Sequence, residues 1–179
     1  MSGRSSATSA DVDLPPRLEV AVHFLDPLPG DRLVEVGCGH GVAATLVLDR
    51  LVTGTYTGID RSAAMIAAAA RRNAAAVTAG RASFVEAAVE DLTLAPFDRL
   101  FAARVAALVR PAGLDAMWRL LVPGGWLLLA FDAPDGTYME VADRARELVS
   151  WRGFDAVTVT QSPYDGGVID CVRATRPPM

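Results

Sequence analysis

The residues with the clearest chemical meaning lie in the stretch LVEVGCGHGVAA, from Leu33 to Ala44. It places Gly37, Gly39 and Gly41 directly after an apolar run that contains the carboxylate of Glu35. Glycine loses the most conformational freedom when it is fixed, so three of them close together indicate that a ligand approaches the main chain. Amide groups at the start of a following helix would favour an anionic part of that ligand.

A second carboxylate, Asp60, ends the stretch TYTGID, 19 residues after Gly41. A carboxylate in that place can accept two hydrogen bonds from a ribose diol. The segment from Gly39 to Ala44 also satisfies the G-x-G-x-x-A pattern of dinucleotide-binding loops, which alone is a weak signal. These residues predict a nucleoside site and leave the identity of the nucleoside open.

The elements that must position these residues alternate between strand and helix patterns. Strands are predicted over RLVEVG, TYTGID, ASFVEA, FDRLFAA and WLLLAF, with a long helix after the N-cap Ser62 and another from Pro111 to VPGG. The tail FDAVTVTQ-SPYDGG-VIDCVRATR predicts two antiparallel strands joined by a turn. The fold class is therefore α/β, a doubly wound parallel sheet with an antiparallel hairpin on one edge. Its ligand is expected at the carboxyl ends of the strands.

The length of 179 residues fits one domain over 31–179, preceded by a disordered tail over 1–13 and a leading helix over 14–30. The sequence contains no run of about 18 uncharged apolar residues, so no membrane-spanning helix is predicted. Two cysteines make no disulfide framework, which fits a reducing, cytoplasmic location.

The charged residues exclude several functions. The net charge of −4 disfavours nucleic acid as a partner. All 17 basic residues are arginine, which excludes lysine Schiff-base chemistry and a Gly-Lys-Ser/Thr phosphate loop. The two histidines and two cysteines are widely scattered, so no metal site is predicted.

Three features favour one kind of nucleoside. Glu35 would be poorly placed beside a pyrophosphate but could hold an ammonium group, directly or through water. The acidic segment EAAVEDL follows the third strand, and the hairpin closes the sheet. Together with VEVGCGHG, GIDRS, FDRLFAA and LVPGGWLLL in this order, they resemble the class I S-adenosylmethionine-dependent methyltransferases, over about Asp31 to Arg176.

The resemblance implies a seven-stranded sheet of order 3-2-1-4-5-7-6 with strand 7 antiparallel and helices on both faces. It also implies which residues bind the cofactor. Gly37, Gly39 and Gly41 would border its methionine part near Glu35, with Cys38 as a small space-filling residue in the same loop.

The remaining residues would contact the rest of the cofactor. Asp60 would bind the ribose hydroxyls, and Ala103 would lie beside the sulfonium. The adenine would be flanked by Arg61, the backbone of Val89 and the side chain of Glu90.

This sequence departs from the family at two points. Many relatives carry an aspartate where Ala88 stands, so adenine recognition falls to Glu90, Asp91 or main-chain groups. The Asn/Asp-Pro-Pro-Tyr box of methyltransferases that act on nucleic acid bases is missing, which disfavours that reaction.

The expected reaction is methyl transfer from S-adenosylmethionine to a small-molecule acceptor by direct displacement, with S-adenosylhomocysteine as the product. No catalytic base is identified. Asp132, Asp135 and Tyr138 are candidates to face the acceptor, and Arg104 either pairs with an acidic substrate or is solvated. The alternatives are an NAD(P)-dependent reductase and a non-catalytic module that binds an adenosyl ligand.

The cover over the methyl group has three candidate sources. These are the leading segment from Leu14 to Leu28, the loop from Arg104 to Pro111, and a second subunit, which would make the protein a homodimer.

Overall fold

The structure is a computed structural model that describes residues 14–132 and 139–178. The tail predicted over 1–13 lies outside these residues, as do Asp135 and Tyr138. The helices are α1 (Pro16–Leu25), α2 (Val42–Arg50), α3 (Ala63–Arg72), α4 (Ala74–Thr78), α5 (Pro111–Leu120) and α6 (Met139–Arg152). The strands are β1 (Arg32–Val36), β2 (Thr55–Asp60), β3 (Ala82–Glu86), β4 (Phe97–Ala103), β5 (Leu121–Asp132), β6 (Asp155–Tyr164) and β7 (Gly167–Thr175).

The strands form one sheet in the order β3-β2-β1-β4-β5-β7-β6. Strands β1 to β5 pair in parallel, whereas β7 is antiparallel to both β5 and β6. The predicted fold class and strand order are confirmed. The chain order reverses on either side of β1, so the carboxyl ends of β1, β2 and β4 meet at the switch point where ligands of such sheets bind.

Apolar side chains cover both faces of the sheet. Helices α5 and α6 pack on one face, around residues such as Leu114 and Val149. Helices α1 and α2 pack on the other face. The leading helix is part of this core because Leu18, Val22 and Leu25 are buried on one side of it. None of the helices described for this chain is long and apolar enough to cross a bilayer.

The helix predicted after Ser62 begins as expected but is divided. The Ser62 hydroxyl accepts a hydrogen bond from the Met65 amide at 3.4 Å and caps α3. At Asn73 the regular helix ends, and the short α4 follows. The Asn73 side-chain amide donates to the carbonyl oxygens of Ala69 and Gly41, both at 3.0 Å, so the break holds α3 against the start of α2.

The VPGG segment, which the sequence predicts to end a helix, and part of the predicted SPYDGG turn are strand instead. The VPGG segment belongs to β5, because the Gly124 amide donates to the Arg176 carbonyl at 2.9 Å and the Arg176 amide donates to Gly125 at 2.7 Å. In the hairpin, β6 continues to Tyr164, which pairs with Gly167. The SPYDGG turn therefore contracts, and Pro163 is tolerated because β6 is an edge strand.

Candidate functional site

The candidate site is a cavity of about 300 Å³ at the carboxyl ends of β1, β2 and β4, a size within the range of small-molecule sites. Its wall is formed by Val36, Gly37, Ile59, Asp60, Arg61, Ala87, Val89, Glu90, Ala103, Arg104, Val105, Leu108 and Arg110. Six of the ten predicted cofactor residues belong to this wall: Gly37, Asp60, Arg61, Val89, Glu90 and Ala103. The other four, Glu35, Cys38, Gly39 and Gly41, lie in β1 and in the glycine loop beside the cavity.

The glycine loop, residues 37–41, is tied to β2 through its backbone. The amides of Gly37 and Cys38 both donate to the Ile59 carbonyl, at 2.8 and 3.0 Å. Gly37 has φ +79°, and a Cβ there would lie 2.5 Å from the Val105 side chain, so no larger residue fits without a shift. Gly39 also has a left-handed φ of +50°, but no described atom lies within 4 Å of the place a Cβ would take. The surface over Gly39 is therefore open to a ligand.

The third glycine of the loop serves the packing of two helices. Gly41 has φ +70°, and a Cβ there would lie 2.8 Å from both the Cβ of Ala69 and the side-chain nitrogen of Asn73. The sequence predicted that Gly41 borders the ligand together with Gly37 and Gly39. The structure shows that α3 is the neighbour that leaves no room for a side chain at this position.

Asp60 links the end of β2 to the glycine loop. One of its carboxylate oxygens accepts the Gly39 amide at 2.9 Å, and the other accepts the Ser62 amide at 3.0 Å. Each carboxylate oxygen can accept more than one hydrogen bond, so Asp60 keeps acceptor capacity toward the cavity that it lines. The residue therefore shapes the loop and can also receive donors from a ligand.

Glu35 lies beneath the loop, with 3% of its surface exposed. Its Oε2 accepts a hydrogen bond from the hydroxyl of Tyr56, which is buried on β2. Burial raises the pKa of Glu35 from 4.5 to about 7; the Tyr56 hydrogen bond opposes this shift and the charge of Asp60 adds to it. A buried carboxylate with one partner can switch between its charged and neutral forms near neutral pH.

Cys38 occupies the same buried region. Its sulfur lies 3.0 Å from the place that a Cβ on Gly58 would take, so the thiol fills the space that this glycine leaves. Burial, with the charges of Glu35 and Asp60, raises the pKa of the Cys38 thiol from 9.0 to about 12. The thiol therefore stays protonated and acts as a small packing residue rather than as a nucleophile.

The segment after β3 forms the opposite wall of the cavity. Val89, Glu90 and Asp91 make one 3-10 turn in which Val89 is buried. The Glu90 carboxylate pairs with the guanidinium of Arg110, and both side chains line the cavity. This end of the cavity combines an apolar surface with a charged edge, which suits a planar heterocycle.

The end of β4 borders the cavity at Ala103 and continues into Arg104, which has an unusual φ of +58°. The Arg104 amide donates to the Ala130 carbonyl at 2.9 Å, and its guanidinium pairs with the carboxylate of Asp132 at 3.1 Å. Asp132 is buried, although the sequence suggested that it faces an acceptor. Arg104, for which the sequence left an acidic substrate and solvent as alternatives, thus has an acidic partner within the chain, while 46% of its side chain stays exposed.

Sequence reasoning missed four side chains of this region. They are Arg17, Tyr56, Arg110 and Tyr164. Only Tyr56 could have been noticed in the sequence, because it alternates with Gly58 in the strand that follows Glu35. Its partner could not be identified, because the contact depends on the register of the strands. Within residues 14–132 and 139–178, no group of three His, Cys, Asp or Glu side chains is arranged to hold a metal ion.

Comparison with known proteins finds a matching family and similar individual proteins. Residues 33–125 match the family described as "Methyltransferase domain". A trans-aconitate 2-methyltransferase from an Acidovorax species is 35% identical over an alignment of 144 residues that covers 76% of this chain and 52% of that protein. The chain thus spans about half the length of the curated relatives it matches.

Solved structures share the fold at low identity. The N-methyltransferase NodS from Bradyrhizobium japonicum is 19% identical with a TM-score of 0.71, over 90% of this chain and 94% of that one. The [4+2]-cyclase SpnF is 17% identical with a TM-score of 0.74, over 90% of this chain and 81% of that one. These two likenesses concern the fold alone.

Proposed function

The chain belongs to the class I S-adenosylmethionine-dependent methyltransferase family, and from that premise we propose that it transfers a methyl group from S-adenosylmethionine to a small-molecule acceptor. One observation of the structure carries the proposal. The Asp60 carboxylate stands in the wall of the cavity at the switch point of the sheet, held against the glycine loop by the Gly39 amide. This is the arrangement that a nucleoside with a free ribose diol needs.

The residues present fit the adenosyl part of the cofactor. Each oxygen of the Asp60 carboxylate accepts one backbone amide and has a further lone pair free. Asp60 would accept hydrogen bonds from the ribose hydroxyls with these lone pairs. Ile59, Val89 and Leu108 supply apolar wall for the adenine, and Glu90 supplies a polar edge. The cavity is therefore chemically matched to one flat apolar group and one diol.

The residues also fit the amino-acid part. Gly37 and Ala103 line the cavity where β1 and β4 end side by side, so neither presents a side chain larger than a methyl group there. Glu35 would provide the negative charge near the cofactor's ammonium group. Since its carboxylate lies under the loop and accepts from Tyr56, we infer that it acts across the loop, directly or through water.

S-adenosylmethionine supplies a methyl group that its sulfonium has already activated. What remains for the chain is to hold the acceptor in line with the methyl–sulfur bond and to exclude water, and alignment of this kind can lower a barrier by roughly 7–11 kcal/mol. Ala103 and Arg104 line the cavity at the end of β4, where the acceptor would enter. No step requires a base if the acceptor is already ionised.

The acceptor is a small molecule in this proposal. The name of the trans-aconitate 2-methyltransferase relatives supports an organic acid, and the net charge of −4 disfavours nucleic acid. The free, buried thiols of Cys38 and Cys171 support a cytoplasmic location. A homodimer stays a prediction, which sedimentation would test.

The test is direct. Isothermal titration calorimetry with S-adenosylhomocysteine and with NAD should give saturable binding of the adenosyl compound alone. Incubation with methyl-labelled S-adenosylmethionine and either trans-aconitate or a metabolite extract should then label an acceptor, identified by mass spectrometry. Binding of NAD without S-adenosylhomocysteine would contradict the proposal in favour of a reductase. Binding of S-adenosylhomocysteine with no labelled product in any extract would leave only a ligand-binding module.

A further inference from the structure

Three charged or polar side chains, those of Arg17, Arg104 and Tyr164, converge on Asp132 at the carboxyl end of β5. The Nε atoms of Arg104 and Arg17 lie 3.1 and 3.7 Å from the same carboxylate oxygen, Oδ1. The Tyr164 hydroxyl donates to the other oxygen at 3.2 Å. These residues come from the start of α1 and from the ends of β4, β5 and β6, so the fold brings distant parts of the chain to one point.

The charges in this cluster do not balance. Arg17 and Arg104 carry two positive charges, and Asp132 is the carboxylate that pairs with them among the residues the structure describes. Within residues 14–132 and 139–178, one guanidinium charge of the cluster is therefore left over. The hydrogen bonding is also incomplete, since the Arg17 Nε is buried without a hydrogen-bond partner among those residues. A buried donor without a partner is costly, and it indicates that a further acceptor belongs here.

Arg104 connects the cluster to the cavity. It follows Ala103 directly, lines the cavity, and leaves 46% of its side chain exposed. Its backbone is held in a left-handed conformation that is unfavourable for a non-glycine residue. Arg17 and Asp132 are not part of the cavity wall. The cluster thus lies beyond β4. It is on the side of Ala103 that faces away from Asp60, and Ala103 is where the methyl group of the cofactor would lie.

We propose that Arg17 and Arg104 bind a carboxylate of the methyl acceptor, with Asp132 as the positioning residue that orients both guanidinium groups. This inference rests on the proposed function. A guanidinium binds a carboxylate with two parallel N–H···O bonds, and the charge left over in the cluster is the charge that such a ligand neutralises. The Tyr164 hydroxyl helps to hold Asp132, and burial, then the charge of Asp132, raises the pKa of Tyr164, which therefore remains a donor.

The same chemistry could serve the carboxylate of the cofactor instead. The position of the cluster favours the acceptor, because Arg104 alone among its members lines the cavity, whereas Arg17 and Tyr164 lie outside its wall and Asp132 lies one strand further along the sheet. The experiment must therefore measure binding of both ligands to each variant.

The probes are trans-aconitate, succinate and acetate, titrated calorimetrically into the full chain saturated with S-adenosylhomocysteine. The variants are Arg104→Gln and Arg17→Gln. Arg146→Gln is the matched control, since Arg146 on α6 pairs with Asp143 and is 49% exposed. Arg104→Gln should weaken binding of the tightest probe roughly tenfold or more, and Arg17→Gln several-fold, because each removes a charged hydrogen bond. Arg104→Lys should restore part of the loss.

Affinity for S-adenosylhomocysteine should stay within about twofold in all variants. A parallel loss of affinity for S-adenosylhomocysteine would assign the arginines to the cofactor and overturn the proposal. Probe binding that is absent from the wild-type protein, or equal in Arg104→Gln and Arg146→Gln, would overturn it as well. A wild-type protein that binds no S-adenosylhomocysteine would instead refute the proposed function. Thermal unfolding of each variant separates loss of binding from loss of folding.

Discussion

Substitution of Glu35 by glutamine should make the protein more stable at high pH and change little at low pH. Glu35 is buried, and its pKa is about 7 in the folded chain against 4.5 in its ordinary state. A group with a raised pKa binds its proton more tightly in the folded state, so stability falls as pH rises from the unfolded pKa to the folded pKa. Above pH 7 the folded protein must keep a buried charge, whereas below pH 4.5 both states are neutral at this residue.

The magnitude follows from those two pKa values. At about 1.36 kcal/mol for each pKa unit, the full penalty is roughly 3 kcal/mol. Between pH 5 and pH 8 the wild-type protein should lose roughly 2–3 kcal/mol through Glu35 that Glu35→Gln does not lose. The glutamine side chain has nearly the same shape, and its oxygen can still accept from the Tyr56 hydroxyl. Packing and hydrogen bonding should therefore change little.

The assay is urea unfolding of both proteins at several pH values, with the free energy of unfolding compared at each pH. Taking the difference between the two proteins cancels the titration of the other groups. Tyr56→Phe serves as a second variant: because the Tyr56 hydroxyl opposes the raised pKa, its removal should enlarge the loss of stability toward high pH. Parallel pH profiles for wild type and Glu35→Gln would refute the assignment of a buried, titrating Glu35.

Three further substitutions test the glycine loop and its anchor. Asp60→Ala should weaken calorimetric S-adenosylhomocysteine binding by roughly 1.5–3 kcal/mol, the range for hydrogen bonds to a charged group; unchanged affinity in a folded variant would contradict the assignment. Gly39→Val and Gly80→Val should each lose roughly 1–2 kcal/mol in urea unfolding, since both glycines have a left-handed φ in open space. Only Gly39→Val should abolish binding, and equal loss at the control Gly80 would count against a ligand over Gly39. Gly41→Ala should lower the free energy of unfolding by roughly 1–3 kcal/mol, because the added Cβ crowds Ala69. A variant as stable as the wild-type protein would show that α3 can shift to make room, contrary to this expectation.

Local patterns were sufficient for most of the helices and strands. The glycine loop, the N-cap at Ser62 and the helix start at Pro111 are decided by residues a few positions apart, and the structure confirms them. The strand order came from the family resemblance carried by the motifs. Asp60 and Ala103 could be placed at one edge of the sheet because the carboxyl ends of parallel strands meet there.

Contacts between distant residues depended on the tertiary structure. The VPGG segment has turn residues, yet it is strand because Arg176 supplies its hydrogen-bond partners. The hydroxyl of Tyr56 reaches Glu35 only in the register that pairs β1 with β2.

The cluster around Asp132 shows the same division. Its members Arg17, Arg104, Asp132 and Tyr164 are separated by long stretches of chain, and no local pattern relates them. The sequence by itself determined most of the helices and strands, because backbone preference and hydrophobic periodicity act over a few residues. Only the tertiary structure decided which charged groups share a partner, because packing of the sheet and of α1 sets those distances.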